Sequence, residues 1–138
     1  MSMEIGTMEI KEDIKTFFML TDQVPEGIPA LFEELGDKLN GLDGYHLYGV
    51  TERIGEKLIY RACARENFSG EAAKYDLPHY IIPNGIYLYV NLQNWQESIR
   101  KMPQFFAELL SNVDAKKGSI CLEDYINEDE ALLLVQHK

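Results

Sequence analysis

Apolar and polar residues alternate along this chain with two different periods, and the changes of period mark out its elements. Ile10, Ile14, Phe17, Phe18, Met19 and Leu20 lead into a first strand behind a partly loose dozen residues, and Pro25, Glu26 and Gly27 break it. Residues 28 to 39 carry Ile28, Leu31, Phe32, Leu35 and Leu39 at helical spacing, with Pro29 tolerable only in the first turn. The stretch NGLDG stops that helix at residues 40 to 44. Strands follow at 45 to 52 and 57 to 65 around a short turn, then a polar loop at 66 to 78. Residues 79 to 92 read as strand, interrupted by Pro83, Asn84 and Gly85. A second helix is expected over 95 to 110, from Trp95, Ile99, Met102, Phe105, Phe106, Leu109 and Leu110, although Pro103 demands a kink or a late start. Strands at 119 to 126 and 131 to 136 flank an acidic turn at 127 to 130.

The order strand, helix, strand, strand occurs twice. PALFEEL at 29 to 35 lies over PQFFAEL at 103 to 109 with an offset of 74, matching Pro29 to Pro103, Phe32 to Phe106, Glu34 to Glu108 and Leu35 to Leu109. Residues 46 to 65 overlay 119 to 138 without a gap at offset 73, with no identities. The pattern predicts one α+β domain over 1–138, with pseudo-repeats at about 9–65 and 79–138 and a linker at 66–78. Two helices should cover one face of an antiparallel sheet with pseudo-twofold symmetry, leaving a ligand cleft between the halves.

Strand alternation then assigns faces. In the strand 119 to 126, Ile120, Leu122 and Ile126 are expected beneath the helices, with Ser119, Cys121, Glu123 and Tyr125 opposite. Ile86, Leu88, Val90 and Leu92 share one face of the preceding strand, and Tyr87, Tyr89 and Asn91 share the other. Offset 73 carries Tyr48 and Glu52 to the face of Glu123. The expected constellation, away from the helices, is therefore Tyr48, Tyr87, Tyr89 and Tyr125 around Glu52 and Glu123, with the face of Tyr60 open. A buried carboxylate without a partner is costly, and a cationic guest relieves that cost while aromatic faces attract it. Each tyrosine is equally an ordinary strand residue.

Composition narrows the partners. Thirteen Lys and Arg against 23 Asp and Glu give a net charge of −10, which argues against direct nucleic-acid binding and against an anionic membrane surface. The N-terminus has no secretory pattern and no run is long enough to span a membrane, so the chain reads as cytoplasmic. Cys63 and Cys121 have no metal or redox spacing, and His46, His79 and His137 are scattered, so no metal or cofactor is expected.

Two stretches, HYIIPNGIYLYVNL and CLEDYIN, together with the repeated element order, resemble the GyrI-like effector-binding domain of AraC-type and MerR-type regulators. Ile82 to Tyr87 is similar to that family's I-P-x-G-x-Y entry, and Leu122-Glu123-Asp124-Tyr125 to its C-terminal motif. The resemblance implies a pocket Glu at Glu123 and an aromatic wall at Tyr87, Tyr89 and Tyr125, with Trp95 at its edge. Where many members have His-x-Gly, the loop here reads Asn91-Leu92-Gln93-Asn94-Trp95. The implied function is a stand-alone small-molecule-binding module, monomeric or homodimeric, for a hydrophobic cation and without a DNA-binding domain. One alternative is a hydrolase of cyclopropane-bearing natural products in which Glu123 activates water. The other is an inhibitory protein-interaction module of the gyrase type, although the acidic residues Glu33, Glu34, Asp37, Glu128, Asp129 and Glu130 are spread rather than massed.

Overall fold

Proline decides where both long helices begin. The computed structural model describes residues 4–138. Pro29 is the second residue of α1 (Ile28–Leu39), and Pro103 is the second residue of the later helix Met102–Ser111, positions where a missing N–H costs nothing. Helix upstream of Pro103 would force its ring against the carbonyl of Ile99. Residues Trp95–Glu97 and Ile99–Lys101 wind instead as two 3-10 turns, so the helix expected from residue 95 starts late.

The strands are β1 (Gly6–Ile10), β2 (Ile14–Thr21), β3 (Leu47–Ile54), β4 (Lys57–Arg65), β5 (His79–Ile82), β6 (Gly85–Gln93), β7 (Cys121–Tyr125) and β8 (Glu130–Gln136). They form one antiparallel sheet in the order β1-β6-β8-β7-β3-β4-β2-β5. A short α2 (Glu71–Lys74) lies in the expected loop, and α3 is Met102–Ser111, making three helices rather than two. Residues 6 to 10, expected to be loose, are the edge strand paired with β6. Gly85 opens β6 at φ 137°, a backbone state closed to most side chains, which explains the glycine after Pro83-Asn84.

Directly opposed residues of antiparallel strands share a face. The pairs Gly49↔Glu123, Gly49↔Ala62, Glu123↔Leu133 and Val90↔Leu133 therefore put these residues on one side of the sheet. On that side α1 seats Leu31, Leu35 and Leu39 against Phe17, Tyr60, Ala62 and Ala64. Alongside it, α3 seats Met102, Phe106 and Leu109 against Leu88, Val90, Leu133 and Val135. The helices rest mainly on β2 and β4 and on β8 and β6 respectively, so the central strands β3 and β7 run beneath the gap between them.

The other side has a core without a helix. Phe18, Tyr48, Val50, Cys63, Ile82, Tyr87, Leu122 and Leu134 form one buried cluster, joined by Met8 and Ile10 from one edge strand and Tyr80 from the other. Side chains from both edges meet in one cluster only because the sheet curls around them. This corrects the expected sidedness: Ile120 and Leu122 belong to the helix-free core, and Ile126 is exposed.

That core also holds a cation. The Arg61 guanidinium lies 5.2 Å from the Phe18 ring centre and 4.8 Å from that of Tyr80, and its Nη1 donates to Glu52 Oε1 at 2.7 Å. Arg61 is 13% exposed, and its Nε has no hydrogen-bond partner among the described residues. Removing Glu52 leaves a mostly buried charge unpaired. Glu52→Ala is expected to lower stability by about 1–2 kcal/mol, discounted for the partial exposure of Glu52. Adding Arg61→Met should recover most of that loss in urea denaturation. A Glu52→Ala protein as stable as wild type would show that the pair contributes nothing.

Candidate functional site

Glu123 projects from β7 into the gap between α1 and α3, on the helix side of the sheet. It is 8% exposed, and both Tyr60 Oη and Tyr125 Oη donate to its Oε1 at 2.7 Å. Among the described residues none donates to Oε2, and no basic side chain pairs with the group. Burial pushes the carboxyl above its ordinary range, and the two hydroxyl donors pull it back only in part. The same burial, with the nearby carboxylate, holds the Tyr60 and Tyr125 hydroxyls well above their usual value.

Tyr60 reaches Glu123 because nothing stands in its way. It comes from β4, one strand beyond β3, and its phenol crosses over Gly49, the residue directly opposite Glu123. A Cβ at Gly49 would fall inside van der Waals contact with both Tyr60 Oη and Glu123 Oε1. The glycine thus makes room for the hydrogen bond, as a glycine inside a strand often does for a close approach.

Two more rings complete the surround. Phe32 of α1 meets Tyr60 and Tyr125 edge-on, at 6.2 Å and interplanar angles of 69° and 88°. Trp95 meets Tyr125 at 4.9 Å and 60°. Its 3-10 turn is tied to the β7–β8 turn, where Trp95 Nε1 donates to the Asn127 carbonyl and Gln96 Nε2 to that of Glu128, each at 3.0 Å. Phe32 also lines a surface cleft of about 600 Å³ along α1, together with Glu33, Gly36, Asp37 and Leu42. That cleft does not include Glu123, so the carboxyl and the open surface share one aromatic wall.

Of the residues singled out in the sequence, the structure gathers Glu123, Tyr125, Tyr60 and Trp95. It places Tyr48, Tyr87, Tyr89 and Glu52 on the opposite face. Tyr48 stacks on His46 at 4.5 Å and 2°, with His46 Nε2 against Asp124 Oδ1. Tyr87 Oη donates to the Pro83 carbonyl at 2.7 Å and pins the β5–β6 turn. Tyr89 lies over Gly6, and Glu52 holds Arg61. Those four lie away from the helices. Glu123 and Tyr125, expected there too, face the helices instead, because Leu122, expected beneath the helices, fills the helix-free core and strand alternation turns its neighbours the other way. Phe32 and Gly49 were missed. Gly49, alone inside a strand, carried a readable signal, whereas Phe32 looked like any residue of the buried helix stripe.

No protein-family model matches the chain, and no curated protein matches it. Its fold does match solved structures. One is a protein bound to tetraphenylphosphonium (TM-score 0.69, 13% identity, 99% of this chain and 94% of that one). Another is a protein from Staphylococcus aureus MU50 named for bacterial transcription regulation (0.63, 12%, 99% of each). A third is a hydrolase from Listeria innocua (0.57, 9%, 99% and 92%). At these identities the likeness is one of fold alone.

Two outcomes test the geometry. Gly49→Ala should lower stability by about 1–3 kcal/mol through overpacking, although alanine is intrinsically the better strand residue. A stabilised variant would show that the phenol does not cross there. Glu123→Gln should gain stability over wild type as pH rises. The native carboxyl keeps its proton above 4.5, where the unfolded one has lost it, so wild-type stability falls between that value and the raised native pKa and stays low beyond it. The gain is about 1.4 kcal/mol per unit of elevation. Thermal melts from pH 4 to 9 measure it, and parallel curves for the two proteins would contradict a raised carboxyl.

Proposed function

We propose that this chain is a GyrI-like effector-binding module that captures a hydrophobic, delocalised cation at Glu123. The observation that carries the reading is a buried carboxyl ringed by Tyr60, Tyr125, Phe32 and Trp95 and paired with no basic residue among those described. Such a site already bears the cost of desolvating its acid, and a cation returns Coulombic and cation–π attraction. The tetraphenylphosphonium complex of a protein with this fold supports the same ligand class. The strand orders β6-β8-β7 and β2-β4-β3 about the β7–β3 pair, with the matching prolines of α1 and α3, support a duplicated unit whose seam is the binding site. Because Glu123 is so little exposed, entry requires Phe32 or Trp95 to swing aside. Glu52, Tyr48, Tyr87 and Tyr89 have structural work on the other face and form no part of this reading.

Trp95, the one tryptophan, reports on the site. Titration with tetraphenylphosphonium should shift or quench its emission, and calorimetry should give saturable 1:1 binding. Glu123→Gln is expected to weaken that binding tenfold or more, while Tyr89→Phe leaves it unchanged. Equal affinities for wild type and Glu123→Gln would remove the carboxyl from the site.

A second reading is hydrolysis, favoured by the raised carboxyl, which suits acid or base work beside an aromatic wall. Product formed from an electrophilic cyclopropane compound, and lost in Glu123→Gln, would replace capture with turnover.

A further inference from the structure

We infer that Phe32 is the gate of the Glu123 site: a guest enters from the cleft along α1 when this ring turns aside, while Trp95 stays as a fixed wall. The inference rests on the cation-binding reading and adds the route by which that site fills and empties. It starts from how differently the two covering rings are held. Trp95 Nε1 donates to the Asn127 carbonyl, Gln96 Nε2 to that of Glu128 and the Asn94 N–H to that of Asp129, so three hydrogen bonds fasten the 3-10 turn to the β7–β8 turn. The receiving turn is itself braced, since Asn127 Oδ1 accepts from the N–H groups of Asp129 and Glu130 at 2.8 Å. Phe32 has no polar atom to tether, and its described ring contacts are the edge-on ones with Tyr60 and Tyr125.

Phe32 also has a space to turn into. Pro29, Phe32 and Gly36 recur at helical spacing and share one flank of α1, and that flank faces the seam because Phe32 reaches Tyr125, beyond β3. The cleft of about 600 Å³ runs along this flank, and Trp95 is not among the residues that line it. A phenylalanine in a helix has two open χ1 wells, and turning from one to the other sweeps the ring along the helix surface. One turn on from Phe32, Gly36 puts no side chain in the way. A Cβ there would meet Leu42 at an ordinary 3.5 Å, so nothing crowds the position into being glycine. Inside a helix a glycine is otherwise a loss, which makes the bare spot beside Phe32 a feature of the cleft.

The mouth suits a cation. Glu33 and Asp37 line it, both are exposed, and neither enters an ion pair among the described residues. Carboxylates at an entrance raise the encounter rate of a positive guest, and that attraction fades with salt.

Stopped-flow mixing with tetraphenylphosphonium, followed by Trp95 emission, separates entry from release. A gate that must open in both directions changes kon and koff together, whereas a ring that serves only as wall changes koff. Phe32→Ala is expected to raise kon about tenfold. Gly36→Leu, which fills the space the ring turns into, should lower kon and koff by similar factors and keep Kd within about threefold of wild type. Glu33→Gln combined with Asp37→Asn should lower kon at low salt and leave koff unchanged. Saturable binding with an unchanged kon in Phe32→Ala, or in a Gly36→Leu protein that melts cooperatively, overturns the gate and leaves the cation-binding reading standing. No binding of tetraphenylphosphonium to wild type overturns both.

Discussion

A carboxyl buried without a positive partner is the constraint around which this fold is arranged. Glu123 is 8% exposed, and its only described hydrogen bonds come from two phenols. Phenols soften the cost of burial but do not cancel it. Each neighbour's identity follows from that need. Tyr125 lies two residues along the same strand and shares its face, Tyr60 reaches across from β4, and position 49 must be glycine-sized for that reach. The site is thus the outcome of pairing register in β3, β4 and β7, and a register change anywhere among them would dismantle it.

The sheet can carry such a group at its centre because stability is supplied elsewhere. Each long helix covers its own half of one face of the sheet, α1 over β2 and β4 and α3 over β6 and β8, and neither closes the seam. The curled opposite face contributes a third core drawn from all eight strands without any helix. That third core lets the helices stand apart, since the β3–β7 pair is held from below by Tyr48, Val50 and Leu122 rather than from above.

The same architecture explains what sequence could and could not disclose. Helix α1 was legible to its ends, because Leu31, Leu35 and Leu39 face a core on one side and charged residues face water on the other. The β3–β4 and β7–β8 pairs were legible from their turns. The sides of the strands were not. In β4 the run Leu58, Ile59, Tyr60, Arg61, Ala62, Cys63, Ala64 is apolar at odd and even positions alike, because both faces of this strand are buried. Alternation carries information only where one face meets water. Hence the face of Tyr60 could not be assigned, and Glu123 and Tyr125 were expected away from the helices that they in fact face. Glu123 itself was found because alternation groups it with Tyr125 whichever way the strand faces, and because it stands in the Leu122-Glu123-Asp124-Tyr125 motif.

The two faces of the sheet set the same chemistry side by side in different states of completion. Below, Arg61 lies over Phe18 and Tyr80 with Glu52 as its counter-ion, so rings, carboxylate and cation all come from the chain. Above, Glu123 has the rings of Tyr60, Tyr125, Phe32 and Trp95 around it, and the described chain supplies no cation. The lower set shows that this fold keeps a guanidinium against aromatic faces when a carboxylate accompanies it. An arginine brought to the upper set would satisfy Glu123 and strengthen the fold at the expense of a place for any guest. On the cation-binding proposal, the unpaired acid is stability given up for a guest, the trade expected where a local rule of folding is broken beside a site.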